Sequence, residues 1–533
     1  MSTIAAKHTS ARSTSEGVDR ARPRSRFELV SPAQAPSDAS RGGWSRLAAD
    51  VGRVGTATFV CQVLGLATSL LMRGLLDPAQ MGIWQAWKMF LSYGNYFNLG
   101  ISKGAAREWS IALGRGETQA AARGLDLAFT VNTLTSLVYG IALATAGLWM
   151  ALAGAGPWAG TWSAGLIALG LVVVLQRHVT FHVGILRAGQ EFRASSRLSI
   201  VEGLLTLILG SLATWQWGVY GLYGATIGVL IGSWIYVKLC GARRLRWDWH
   251  GGEIVRLIGI GSPILAGGVL LTFFRSVDKL MILACAPDGE FQLGCYSIAL
   301  LVSGQLYSVG NALSIVIGPR YATLYGALEC RRGVAQFAAQ TSLFQAAVLA
   351  WLGGMAIVAA PAVLGAAFPS YASGLAPLGW VVVAGIGLGL SLPASQYLTA
   401  VGLERRALAA MVPLALLSAG GNYLVLTHGG DLSGVAAVTA LGQAGYALAV
   451  MLLAFWPHLS PAARGRSVAQ HVLALVPALV VALLAEEHWP AARDGVLLVI
   501  GKLFLVTAAA ALGAWAAWRL SATREMQPSE VAR

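Results

Sequence analysis

The stretch Thr272-Phe273-Phe274-Arg275-Ser276-Val277-Asp278-Lys279 sets three charges inside Pro263 to Ala286, a run of 24 residues otherwise apolar or small. A run of that length spans a bilayer at about 1.5 Å per residue. A charge near the middle of such a span costs roughly 2.5–3.5 kcal/mol on insertion scales, so these three must be paired or must face a wet cavity. Read as one helix, the spacing of three and four residues puts Arg275, Asp278 and Lys279 on one side. Two readings follow: an Arg275–Asp278 ion pair that locks two helices together, or a lining for the path of a charged substrate.

Composition sets the class. Of 533 residues, 56% are hydrophobic, 12% are charged and 64 are glycine, which excludes an average soluble domain and fits a polytopic membrane protein. The five cysteines, Cys61, Cys240, Cys285, Cys295 and Cys330, make no CxxC and no metal-ligand spacing, and read as small core residues. The net charge is +14, and no nucleic-acid partner is expected. Residues 1–42 are rich in Ser, Arg, Ala and Pro without an apolar run, so they read as a disordered basic cytoplasmic tail, either touching anionic head groups or simply solvated. Residues 519–533 form a second cytoplasmic tail.

The expected fold is all-α, with about fourteen transmembrane spans at 54–76, 81–102, 125–153, 160–186, 197–216, 219–241, 263–286, 292–317, 338–366, 374–401, 406–427, 432–456, 468–486 and 496–518. Alternate loops carry the basic residues: Lys103, Arg107, Arg115 and Arg123, then Arg187, Arg193 and Arg197, then Arg243, Arg244, Arg246 and Arg256, and onward to Arg464 and Arg466. The opposite loops, such as Asp77-Pro78 and Pro287 to Gln292, carry almost none. The positive-inside rule therefore puts both termini in the cytoplasm.

The chain also repeats itself. Gly82 in Met81-Gly82-Ile83-Trp84 matches Gly294 in Leu293-Gly294-Cys295-Tyr296, 212 residues on. Gly104-Ala105-Ala106-Arg107 matches Gly318-Pro319-Arg320; Gly165 to Gly170 matches Gly374 to Gly379; Gly189-Gln190-Glu191 matches Gly402-Leu403-Glu404; and Gly221 matches Gly434, all at offsets near 212 and in the same order. An even number of spans per copy leaves both copies the same way up. The expected units are a bundle of six helices over 43–245, a second over 246–460, and two additional spans over 461–518. In such a protein the substrate lies between the two bundles, near the midplane.

The first span of each copy is the natural lining. Arg73 stands near the outer end of span 1, and Lys88 lies seven residues into span 2, about 10 Å below that surface. Arg275, Asp278 and Lys279 occupy span 7, the copy of span 1. Arg177, with His178 and His182, comes from span 4, where all three can equally be the end of a long helix. Glu202 in span 5 is either a proton or cation coupling site or a hydrogen-bonded structural carboxyl, and Asp278 raises the same choice between coupling and internal pairing. Trp84, Trp87, Tyr93 and Tyr96 can stack on sugars or simply pack. Basic groups outnumber carboxylates here, so the cavity should attract an anion, and arginine's planar fork suits phosphate. No GxSxG, P-loop or HExxH motif is present, and no enzyme activity is expected.

Several stretches resemble a known family. These are Arg73-Gly74-Leu75-Leu76-Asp77-Pro78-Ala79-Gln80-Met81-Gly82-Ile83-Trp84, Asn98-Leu99-Gly100-Ile101, Leu186 to Phe192, Ile260-Gly261-Ser262-Pro263 leading to Val277 to Ile282, and Phe368 to Ala372. Over about 50–460 the chain resembles the Wzx-type O-antigen and exopolysaccharide flippases of the multidrug/oligosaccharidyl-lipid/polysaccharide (MOP) exporter superfamily. The resemblance implies two six-helix bundles around a cationic cavity that takes the pyrophosphate and glycan of an undecaprenyl-linked oligosaccharide. It implies flipping across the cytoplasmic (inner) membrane, powered by an ion gradient with no bound cofactor, beside a polysaccharide polymerase and chain-length or export proteins. By the same resemblance Arg73, Lys88 and Arg275 are the cavity cations, although lysine at 88 departs from a strict arginine pattern. A lipid II flippase and a multidrug or cation antiporter of the same superfamily are the alternatives, and the excess of basic residues argues against the antiporter.

Overall fold

The computed structural model describes residues 42–522 except 116–117, 155–157, 189–191, 240–244, 329 and 489–495. The tail over 1–41, the end of the second tail beyond 522, Cys240 and the Gly189-Gln190-Glu191 side of one repeat match lie outside the described residues. Within them, all regular structure is helical. Helices α1 (Gly42–Leu75), α2 (Pro78–Gly94), α3 (Ile101–Arg115), α4 (Thr118–Ala153), α5 (Ala159–Ala188) and α6 (Phe192–Leu239) pack on one another. A second set comprises α7 (Gly251–Phe274), α8 (Val277–Cys285), α9 (Gly289–Leu328), α10 (Arg331–Ala367), α11 (Leu378–Ala400), α12 (Glu404–Thr427) and α13 (Leu432–Phe455). The two sets are pseudo-symmetric bundles. The appended pair, α14 (Pro461–His488) and α15 (Val496–Ala522), packs along α10, with Lys502 Nζ 3.6 Å from Glu486 Oε2.

Eleven described helices are long and apolar enough to cross a membrane, or twelve when the bent halves of α7 count as one span. Fourteen is not reached by that measure, for two reasons. First, α6 counts once although it holds two of the expected spans. Its backbone leaves helical geometry at Gly218 (φ 56°, ψ −138°) and doubles back, so that Leu205 meets Gly232 and Leu222 meets Gly210. Second, the run expected at 81–102 is not one helix. Helix α2 ends at Gly94 after 17 residues, and a turn through Leu99 and Gly100, both at positive φ, leads into α3. The Asn98 side chain accepts the Gly100 N–H at 3.1 Å, which fixes that turn.

Small residues decide how closely the helices approach. In α11, the innermost membrane-length helix, Gly385, Gly387 and Gly389 lie against Ser303, Ala444 and Leu349, so α9, α13 and α10 all press onto its backbone. Two of the contacts between the bundles are built on glycine from both sides. At one end, a Cβ on Gly82 would lie 1.7 Å from the Glu290 carbonyl oxygen, and one on Gly294 would lie 1.6 Å from that of Pro78. Pro78 and Glu290 stand at the same 212-residue offset as Gly82 and Gly294, so α2 and α9 cross each other through equivalent positions of the two copies. Toward the other end, Gly100 (φ +86°) packs on Gly261, bringing α3 onto α7.

Candidate functional site

The site forms where α1, α2, α7, α8 and α9 come together. Arg73 lies in the last turn of α1, where a cation is favoured by the helix dipole. It is 3% exposed. Its guanidinium donates to the Ser69 carbonyl (2.7 Å) and hydroxyl, and across the bundle boundary to the Ser297 carbonyl (2.7 Å) and hydroxyl (3.1 Å) of α9. The remaining donor, Nε, has no partner among the described residues. Beside it, the Tyr371 hydroxyl donates to the Leu76 carbonyl at 2.8 Å and covers the end of α1. Arg73 is therefore a bracket between α1 and α9 in this conformation rather than a side chain open to a cavity.

The charged stretch from Thr272 to Lys279 is not one helix. Helix α7 stops at Phe274 and α8 starts at Val277. The Ser276 hydroxyl donates to the Thr272 carbonyl (2.8 Å), offering the backbone an alternative to helix continuation. From α2 and the turn after it, the Tyr93 hydroxyl bonds to that of Ser276 at 2.6 Å and the Tyr96 hydroxyl to that of Thr272, holding the break open.

The break undoes the one-face arrangement expected from the spacing. Arg275 is exposed and its guanidinium lies 4.0 Å from the Tyr307 ring centroid, a cation–π contact. Asp278, 3% exposed, turns the other way. It accepts from the Tyr296 hydroxyl at 3.1 Å and from the Lys279 N–H at 2.9 Å in the first turn of α8, where the dipole favours an anion. Lys279 Nζ reaches back to the Arg275 carbonyl at 2.9 Å, the exposed end of α7. Among the described residues, no Arg275–Asp278 ion pair exists, so the locking-pair reading fails.

Lys88 joins this group from α2. Its ammonium sits 5.8 Å from the Trp84 ring centroid, and Arg73 and Lys279 are the charged groups that act on it. Three cations from α1, α2 and α8 thus share one neighbourhood at the boundary between the bundles, with Arg275 at the break beside Lys279. On its other side Lys88 lines a cavity of about 410 Å³ inside the first bundle, between α2, α5 and both arms of α6. Glu202 lies in that cavity too, with Arg187 as its charged neighbour.

Arg177 does not join them. It is 3% exposed, and its guanidinium donates to the Gly94 carbonyl and to Asn132 Oδ1, both at 2.6 Å, so it ties α5 to α2 and α4. Expected as a lining cation, Arg177 is here a bracket within the first bundle. Residues that sequence reasoning passed over are Ser297, which receives Arg73, Tyr296, which donates to Asp278, Tyr307, on which Arg275 lies, and Ser276, at the helix break. They are uncharged residues inside apolar spans, and only the break at Ser276 had a local signal, the hydroxyls of Thr272 and Ser276 at helical spacing.

Against known proteins, no curated protein matches the chain. Among solved structures the fold is similar to the lipid II flippase MurJ in an inward closed conformation. That match has 13% identity and TM-score 0.65, covering 88% of this chain and 99% of that one. It is also similar to an inward-facing multidrug resistance MATE family transporter of the MOP superfamily, at 14% identity and TM-score 0.58 over 74% of this chain and 94% of that one. A third is a MOP superfamily transporter from Pyrococcus furiosus Vc1 (DSM3638), described by a binding pocket of reverse polarity, at 14% identity and TM-score 0.53 over 77% and 95%. The model of the polysaccharide biosynthesis protein family matches residues 72–372, from Arg73's turn of α1 through the contact of Tyr371 that closes over it. More than half of the chain lies in that match, and the protein belongs to the polysaccharide biosynthesis protein family, with a fold similar to that of the solved MOP superfamily transporters.

Proposed function

We propose that the protein flips an undecaprenyl-pyrophosphate-linked oligosaccharide from the cytoplasmic to the outer leaflet of the cytoplasmic membrane, for assembly of a cell-surface polysaccharide. The observation that carries this reading is the convergence of Arg73, Lys88 and Lys279 from both bundles, with Arg275 beside them. A diphosphate offers several charge-assisted acceptors to such a cluster, whereas a cationic drug would be repelled by it. In this state Arg73 is held by Ser297 at the end where α2 and α9 cross, so that end is shut. Releasing the bracket frees the Arg73 guanidinium for the head group, and the bundles then rock about it. An ion gradient drives the cycle, with both termini in the cytoplasm and the polymerase and export proteins receiving the product. A lipid II flippase is the second reading, favoured by the MurJ match over 88% of this chain.

The test is reconstitution into liposomes carrying fluorescent undecaprenyl-pyrophosphate oligosaccharide in one leaflet, followed by quenching from the other side. Translocation of this lipid in preference to lipid II supports the proposal. Selective translocation of lipid II establishes the second reading, and transport of neither overturns both.

A further inference from the structure

The cavity inside the first bundle has a chemistry of its own. Its cationic donors are Lys88, on the wall facing the bundle boundary, and Arg187, and its one carboxylate is Glu202. Among the described residues, none of the three makes an ion pair within 4 Å, and the Gln176 side chain has no hydrogen-bond partner. The hydroxyls of Ser199, Thr206 and Thr226 each donate their proton to a helix carbonyl four residues back, Ser195, Glu202 and Leu222, at 3.2, 2.7 and 2.8 Å. Only their lone pairs are left for the cavity. The site therefore wants an occupant rich in hydroxyl protons that also accepts from an ammonium and an amide. Beside these groups lies an aromatic wall, Trp84 stacked on Trp87 with centroids 4.7 Å apart.

We infer that this cavity is a sugar subsite, receiving a pyranose ring of the glycan whose phosphates sit at the bundle boundary; the assignment rests on the translocation proposed above. A pyranose matches each demand: hydroxyls that donate to Glu202 and the three lone-pair acceptors, oxygens that accept from Lys88 and Gln176, and an apolar C–H face for the Trp84 indole. A volume of about 410 Å³ is ordinary for a small-molecule pocket. The competing occupants fit worse. Lys88 and Arg187 repel a metal cation, Glu202 repels a free phosphate, and an acyl chain would leave the polar groups without partners. Lys88 stands on the wall between the cavity and the cations Arg73 and Lys279, so one lysine can touch both the phosphate end and the first sugars of the same ligand.

The experiment uses the full-length protein in nanodiscs, with methyl glycosides of a neutral hexose, an N-acetylhexosamine and a uronic acid as probes and glycerol as control, read by saturation-transfer NMR. At least one glycoside should bind, and Glu202→Gln and Trp84→Ala should each weaken it tenfold or more while melting temperatures stay at the wild-type value. Trp84→Phe, which keeps an aromatic face, should restore part of the binding. In liposomes, the same variants should slow undecaprenyl pyrophosphate bearing glycan and leave the glycan-free lipid at the wild-type rate. Absence of glycoside binding overturns the subsite. So does equal slowing of both lipids, which would assign Glu202 to ion coupling or packing while translocation itself stands. If the wild type moves neither lipid, it is the transport reading that fails, and the glycoside titration still decides the subsite.

Discussion

Helix α1 and the pair α7–α8 hold equivalent places in the two bundles, each leading into one of the helices that cross at Gly82 and Gly294. Yet α1 runs unbroken for 34 residues, while its counterpart breaks after Phe274. The symmetric part of the molecule is the dry crossing, where each copy offers a glycine to the other's backbone. The asymmetric part is the polar break, where Ser276, Arg275 and Lys279 have nothing like them midway along α1. Duplication supplied two similar frames, and one of them has been opened to expose a helix end and a cation at the bundle boundary. In a bilayer such a break is tolerated only where other groups satisfy the freed backbone, here the side chains of Ser276 and Lys279, which donate to the Thr272 and Arg275 carbonyls.

The largest expected effect comes from the broken copy. Arg275→Ala should abolish export in cells, and in liposomes slow translocation about 10- to 100-fold, the loss of one charge-assisted contact of ~1.5–3 kcal/mol. Arg275→Lys keeps the charge without the flat stack on Tyr307 and should retain part of the rate. Wild-type transport by Arg275→Ala would make the break a packing feature, and the contrast between the copies would lose its functional meaning.

The symmetric crossing gives the next test. Gly82→Ala and Gly294→Ala should destabilise the protein equally, by ~1–3 kcal/mol each, because each forces a methyl against backbone that cannot move aside. The double variant should cost less than the sum, since the first methyl already parts the helices for the second. Melting in detergent measures all three, and unequal single effects would show that the two copies do not bear equally on the crossing. Asp278 follows. Asp278→Ala leaves the buried Tyr296 hydroxyl without its acceptor, at ~1–3 kcal/mol, whereas Asp278→Asn keeps an acceptor and should be milder. If the two variants melt alike, the hydrogen bond is not what Asp278 provides.

Much of this frame was readable in advance. Apolar runs located the helices, and the glycine offsets disclosed the duplication because close backbone approach accepts no side chain at Gly82 or Gly294. What hydropathy could not carry is how polar groups are satisfied. Arg177 looks like a lining cation until Asn132, 45 residues away in sequence, and the Gly94 carbonyl take its donors. The break at Ser276 depends on a contest between side-chain and backbone hydrogen bonds that a hydrophobicity average does not register. Lys88 and Glu202 were both visible as intramembrane charges, but only the reversal of α6 at Gly218 closes a cavity around them.

The smallest effect concerns how the second copy begins. The linker before α7 lies along α4: Arg123 Nε donates to Asp248 Oδ2 at 3.0 Å, the Asp248 N–H to Thr130 Oγ1 at 3.1 Å, and the Arg246 N–H to Asp126 Oδ1 at 3.2 Å. The Arg123 guanidinium, helped by the Trp249 N–H and His250, holds the Asp248 carboxyl below its ordinary range. A folded value below the unfolded one means that the tether contributes fully above the ordinary carboxylate pKa of about 3.9 and is lost as pH falls through the lower folded value. Asp248→Asn should therefore melt slightly below wild type, by an amount constant from about pH 5 to 8, and the two curves should converge only well below about pH 4. Because the pair is exposed, raising salt to about 0.5 M should shrink the difference. A gap that instead changes between about pH 5 and 8 would show that the Asp248 carboxylate is not what carries the tether.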